Sequence, residues 1–65
     1  MGRQMISIDE CCYLLTTNLV SGFYFPESYL SIPELDHLIQ LHNWSVFASE
    51  VAGWVYLRRR IVYQD

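Results

Sequence analysis

The stretch from Asn43 to Tyr63, NWSVFASEVAGWVYLRRRIVY, constrains the fold more than any other part of the chain. It gathers both tryptophans, the densest run of β-branched and aromatic residues, and three of the four basic side chains. Side chains along a strand alternate between two faces. On that pattern Trp54, Tyr56, Arg58 and Arg60 project to one side, and Val55, Leu57, Ile61 and Tyr63 to the other, with Arg59 interrupting the apolar side. Upstream, Trp44, Val46 and Ala48 alternate against Ser45, Phe47 and Ser49. The intervening Glu50-Val51-Ala52-Gly53 ends in a residue that takes positive φ without penalty, so the pattern predicts a β-hairpin. The rival is one helix, because Val51, Trp54, Val55, Arg58, Ile61 and Val62 also share a helical stripe. Composition decides for strands: Val, Ile, Tyr and Trp favour a pleated surface, and Gly53 inside a helix would cost about 1 kcal/mol relative to Ala.

Ahead of the hairpin the spacing predicts two helices. Ser7-Ile8-Asp9-Glu10 fits the capping box, in which the Ser hydroxyl takes the third backbone N–H and the Glu carboxylate reaches back. Ile8, Cys11, Cys12, Leu15 and Leu19 then form one apolar stripe, and Gly22 is placed to end the helix in a left-handed turn. Ser31-Ile32-Pro33-Glu34 repeats the capping box with Pro33 in the first turn, and Leu35, Leu38, Ile39 and His42 make the inward stripe of a second helix. Between the helices, Phe23 to Leu30 is a connector in which Pro26 pushes Phe25 toward extended geometry; it reads as a short edge strand or a loop. The expected fold is therefore α+β: two short helices, about 8–21 and 32–43, packed on a C-terminal hairpin, about 44–48 and 54–63, with room for a short strand near 22–25.

A 65-residue chain makes one domain with a thin core, burying only about 60% of its unfolded surface. Its composition, 52% hydrophobic and 17% charged, is that of a folding chain rather than a disordered one. The aromatic side chains number two Trp, five Tyr and three Phe, more than such a core encloses. Some of Phe23, Tyr24, Phe25, Tyr29, Trp44, Trp54 and Tyr56 are expected at the surface, which points to an interaction site for which Phe23, Tyr24, Phe25, Tyr29, Trp54 and Tyr56 are the candidates, joined by Arg58 and Arg60. The bland alternative for Phe23 to Tyr29 is a core plug between helices and sheet. The formal charge of −3 is uneven: six acids against Arg3 in residues 1–57 give −5, and Arg58, Arg59 and Arg60 against Asp65 give +2. An acidic body with a short basic strip is not the footprint of a general nucleic-acid binder.

Adjacent cysteines, Cys11 and Cys12, cannot staple distant parts of a fold, which favours a reducing compartment and a cytoplasmic location. No secretory leader pattern opens the sequence, and Ile6 stands where a myristoylation signal has Ser or Thr. The least polar window, Leu38 to Leu57, contains Gln40, His42, Asn43 and Glu50 and does not suit a membrane span. Cys11, Cys12, His37 and His42 hold the atoms of a zinc site without its spacing, since adjacent helical residues diverge by about 100°, so no metal or other cofactor is expected. Asp9, Glu10, Glu34 and Asp36 read as helix N-terminal charges that complement the macrodipole rather than as acid–base pairs. Nothing in the pattern builds a catalytic site. Arg58 and Arg60 share the face of Trp54 and Tyr56, where they suit a carboxylate or phosphate; the alternative is a set of solvated charges that blunt a sheet edge, whose truncation with Arg59 leaves the fold intact.

The segment Ile6-Ser-Ile-Asp-Glu-Cys-Cys-Tyr-Leu-Leu15, followed by a second helix and a hairpin, resembles the opening of small excisionase and MerR-type winged-helix proteins. The resemblance implies DNA binding, with Arg58 to Arg60 as a wing. The helix that would read the groove, Ser31 to Asn43, carries acids and neither Arg nor Lys, which phosphate repels. The expectation is a non-enzymatic protein-binding module, a small regulator or inhibitor of the kind phages and mobile elements encode, which docks a partner protein through its aromatic and Arg surface. The winged-helix DNA binder is the alternative, and pairing of the aromatic face with a second copy in a homodimer is a third reading.

Overall fold

Ser7 acts as the capping pattern predicts: its Oγ accepts the Glu10 N–H at 3.1 Å and opens helix α1, Ile8–Thr16, in a computed structural model that describes residues 4–60. The chain continues through strand β1 (Gly22–Pro26), a 3-10 helix (Glu27–Ser31), helix α2 (Pro33–Leu41), strand β2 (Trp44–Ala48) and strand β3 (Trp54–Arg59). The architecture is α+β, with a three-stranded antiparallel sheet in the order β1-β3-β2. The hairpin is present in place of the rival helix, and the short strand near 22–25 pairs with β3 along its whole length. Ile61 and Tyr63, predicted to continue the last strand, lie outside the described residues.

Helix α1 ends at Thr16 instead of running to residue 21, and Gly22 opens β1 rather than capping a helix. The cause is a set of competing donors at the helix C-terminus. Thr16 Oγ1 donates to the Cys12 carbonyl and Thr17 Oγ1 to that of Tyr13, each at 2.8 Å. The Trp44 indole Nε1 takes the Leu15 carbonyl at 3.0 Å, and the Arg59 guanidinium takes that of Thr17. With the Leu15 and Thr17 carbonyls taken by Trp44 and Arg59, and the Thr16 and Thr17 hydroxyls turned back on the carbonyls four residues earlier, the helix gains little from a further turn. Cys11 and Leu15 form its buried stripe, whereas Leu19, expected in that stripe, lies beyond the helix and is 62% exposed.

The second capping box does not form. Ser31 Oγ donates to the Ser28 carbonyl at 2.9 Å and closes the 3-10 turn, and α2 begins one residue later with Ile32 at the N-cap and no side-chain cap. Proline disfavours α geometry in the residue before it, so Ile32 is extended (φ −83°, ψ 115°) and cannot serve as the first helical residue that a Ser31 cap requires. The far end is set by Asn43, whose φ of 60° lies in the left-handed region that Asn tolerates and that turns the chain directly into β2.

Cross-strand register sorts the sheet into two faces. Phe23, Leu57 and Val46 lie in one row, Phe25, Val55 and Ala48 in the next, and Trp44 opposite Arg59. This inner face meets the helices, and Cys11, Leu15, Phe25, Leu35, Ile39, Trp44, Val55 and Leu57 form the core. The hairpin turn is held by a bond from the Val51 N–H to Ser49 Oγ at 3.0 Å and one from the Trp54 N–H to the Val51 carbonyl at 3.1 Å, with Gly53 at φ +83°. At that position a Cβ would meet open space, so the backbone conformation is what calls for glycine.

Candidate binding face

The opposite face of the sheet carries Gly22, Tyr24 and Pro26 from β1, Trp54, Tyr56 and Arg58 from β3, and Ser45 and Phe47 from β2. Tyr24, Tyr56 and Phe47 stand in one cross-strand row. The two tyrosine rings meet edge to face at 5.1 Å and 65°. Tyr24 is 39% and Phe47 49% exposed, so the row reaches solvent on both outer strands. Gly22 is what lets Tyr56 lie close to the sheet: a Cβ there would stand 2.2 Å from the Tyr56 hydroxyl oxygen and 2.7 Å from its ring carbon.

The two ends of this face differ. Arg58 and Arg60 are exposed at one end, where Arg60 Nε donates to Ser45 Oγ at 2.9 Å and the Arg60 N–H to the Asn43 carbonyl at 2.8 Å. At the other end an open groove is lined by Met5, Glu27, Ser28, Gly53 and Trp54. A backbone bond from the Glu27 N–H to the Gly53 carbonyl, 2.9 Å, ties the 3-10 helix to the hairpin turn there.

Of the residues singled out from sequence, Tyr24, Trp54, Tyr56, Arg58 and Arg60 come together on this face. Phe23, Phe25 and Tyr29 do not. Phe25 is fully buried; Phe23 packs edge to face on it at 6.1 Å and on Trp44 at 5.4 Å. Tyr29 meets Phe25 edge to face at 5.9 Å and its hydroxyl donates to the Ile6 carbonyl at 2.8 Å, which ties the segment before α1 to the core. These three are the core plug: the odd positions of β1, Phe23 and Phe25, face the helices, and Tyr29 reaches Phe25 from the 3-10 helix. Phe47 was missed as a site residue, although its place opposite Tyr56 follows once the hairpin register is drawn. The arginines also depart from the wing expectation: they lie at the end of β3 remote from the turn, while the turn itself carries Glu50 and Val51.

Arg59 lies on the apolar side, as alternation predicts, and is not one of the solvated charges at a sheet edge. It faces inward, with its guanidinium 4.3 Å from the Trp44 ring centroid and hydrogen-bonded to the Thr17 carbonyl. It is a clamp between α1 and the sheet, so truncating all three arginines would damage the fold as well as the face.

Cys11 and Cys12 are free thiols, and Cys11 is buried. Burial, with smaller contributions from Cys12 and Glu10, pushes the Cys11 thiol from 9.0 up to about 11. It is therefore protonated at neutral pH and packs as a small apolar group. A thiol held above its unfolded value stabilises the fold fully below about pH 9, and this contribution is lost as pH rises through about 11. Urea midpoints should fall over that window, by an amount on the order of 2 kcal/mol, and Cys11→Ala should flatten the slope relative to wild type whatever its effect at neutral pH. Equal slopes would show that the thiol does not titrate differently in the two states.

Among the described residues no group of three His, Cys, Asp or Glu side chains is placed to hold a metal ion, and no helix is long and apolar enough to cross a membrane. No protein-family model, curated protein or solved structure matches this chain.

Proposed function

We propose that this chain is a non-enzymatic protein-binding module, a small regulator or inhibitor that docks a partner protein through the sheet face bearing Tyr24, Phe47, Trp54, Tyr56, Arg58 and Arg60. The observation that carries this reading is the Tyr24-Tyr56-Phe47 row, an aromatic surface on the side of the sheet away from both helices. Aromatic and Arg side chains are the usual anchors of protein interfaces, and a chain this short gains little by exposing such rings without a partner. Two adjacent unbridged cysteines suit a reducing compartment such as the cytoplasm.

The test is capture from source-cell lysate with and without nuclease, comparing wild type with Tyr24→Ala/Phe47→Ala, whose folding is checked by circular dichroism. Both positions are exposed, so the variant is expected to fold and to lose roughly tenfold or more of the retained protein, with nuclease making no difference. Equal retention by both proteins would remove the face from consideration.

One observation favours the winged-helix reading: the element order, with β1 placed beside β3 and the hairpin last, is that of a winged helix. Charge opposes it. The exposed residues of α2 include Glu34, Asp36, His37 and Gln40, and the turn that would act as wing tip carries Glu50. Duplex DNA is accordingly expected to show no mobility shift with the purified chain even at low salt; a salt-dependent shift would reverse this ranking.

A further inference from the structure

We infer that the partner seated on this face is an acidic polypeptide segment, with carboxylates on Arg58 and Arg60 and a neighbouring apolar or aromatic side chain on the Tyr24-Tyr56-Phe47 row. The inference rests on the protein-binding reading and narrows it to one chemistry.

Charge is the first argument. The charged residues that β3 and the residue after it place on the face, Arg58 and Arg60, are both arginines, in a chain of formal charge −3. The helical acids Asp9, Glu10, Glu34 and Asp36 belong to the layer on the other side of the sheet. An acidic partner thus meets its complement on this face and repulsion on the helical side, which selects the docking orientation.

Preorganisation is the second. Arg60 is held by its side chain to Ser45 and by its backbone to Asn43, and the Ser45 bond occupies Nε, leaving the two terminal nitrogens for a carboxylate. Arg58 lies two residues away on the same side, about 7 Å along the strand, close enough for both guanidinium groups to serve one acidic cluster. The ring row is also restrained, since Tyr56 packs over Gly22 and against Tyr24, so little side-chain freedom is lost on binding.

The third argument separates a peptide from a polynucleotide. A nucleic-acid strand presents phosphate along its whole length and needs a basic track. Here the cations sit at one end, and Glu27 lines the groove beside Trp54 at the other. A short acidic segment fits that polarity, with its carboxylates toward Arg58 and Arg60 and an uncharged or basic end toward Glu27.

The experiment titrates the full chain with a random glutamate–tyrosine copolymer, a lysine–tyrosine copolymer and oligo-dT, followed by calorimetry, with sedimentation of the free protein alongside. The expected result is binding of the glutamate–tyrosine copolymer alone, weakened roughly tenfold or more by Arg58→Ala/Arg60→Ala and also by Tyr24→Ala/Phe47→Ala. Loss with the aromatic variant but none with the arginine variant would overturn the acidic partner while leaving the docking face standing. Equal binding of the lysine copolymer, or no binding of the acidic one, would also overturn it. Tighter binding of oligo-dT would assign the face to single-stranded nucleic acid, and a dimer in sedimentation that Tyr24→Ala/Phe47→Ala dissociates would assign it to a second copy.

Discussion

Trp44→Ala is expected to leave the chain without a folded baseline at 25 °C. Among the described residues Trp44 is the largest fully buried side chain; it packs against Phe23 and beneath Arg59, and its indole N–H donates to the Leu15 carbonyl. Truncating a buried Trp to Ala costs about 3–5 kcal/mol. Below about 70–80 residues a single core rarely supplies more than about 3–5 kcal/mol, so that cost takes most or all of the stability. Trp44→Phe separates the parts of the effect. It keeps most of the volume and removes the donor, and leaving a buried carbonyl unpaired costs about 1–3 kcal/mol. Arg59→Ala should couple to Trp44→Phe in a double-mutant cycle, because the guanidinium stacks on the same ring that holds the helix. Urea unfolding followed by circular dichroism measures each step. A cooperative transition for Trp44→Ala close to that of wild type would show that the core does not depend on this residue.

The second large effect is expected at Gly22. An added methyl would overlap the Tyr56 hydroxyl and ring and stand 3.0 Å from the Leu57 carbonyl oxygen. The ring can swing away, but the Leu57 backbone is held in the centre of the sheet, so overpacking of about 1–3 kcal/mol is expected for Gly22→Ala. The same change should displace Tyr56 from the row it shares with Tyr24 and Phe47, so stability and partner binding fall together. Gly22→Ala/Tyr56→Ala should then be less damaging than the two single changes added, because the clash has gone. If Gly22→Ala is neutral, or if the two losses simply add, the close approach of Tyr56 to the strand is not what makes this position a glycine.

Local signals carried the reading of the sequence where they acted alone. Ser7 caps α1, Gly53 turns the hairpin, and the alternation of Trp54 to Arg58 sorts that strand as drawn. Misreadings arose where a distant partner or a neighbouring residue outweighed the local preference. Gly22 suits a helix end and a tight strand contact equally, and only pairing with β3 decides between them. Ser31 has a good capping pattern, yet Pro33 forbids the geometry it needs. Arg59 falls on the apolar side by alternation, but nothing local says what it pairs with there, because its partners, Trp44 and the Thr17 carbonyl, come from other elements. On the candidate face, Trp54, Tyr56, Arg58 and Arg60 were legible from alternation alone, and Tyr24 only as one of the surplus aromatic residues of the connector. Phe47 needed the cross-strand register, and so did Phe25, which goes to the core because β1 pairs it with Val55 on the inner face.

Among the described residues the strand made last in sequence is the middle one of the sheet, which bears on how the protein is synthesised. Until the ribosome has extended the chain to Arg59, β1 has no neighbour to pair with and α1 lacks the cation that closes its end. The contacts that lock the two layers join residues 29 positions apart, Trp44 to Leu15, and 42 apart, Arg59 to Thr17. Pairings so distant form late and together, so the growing chain passes through no stable half-built form, and its aromatic residues stay uncovered until β3 is released. A nascent chain stalled before Arg59 is accordingly a substrate for chaperones and proteases rather than a weakened version of the finished molecule.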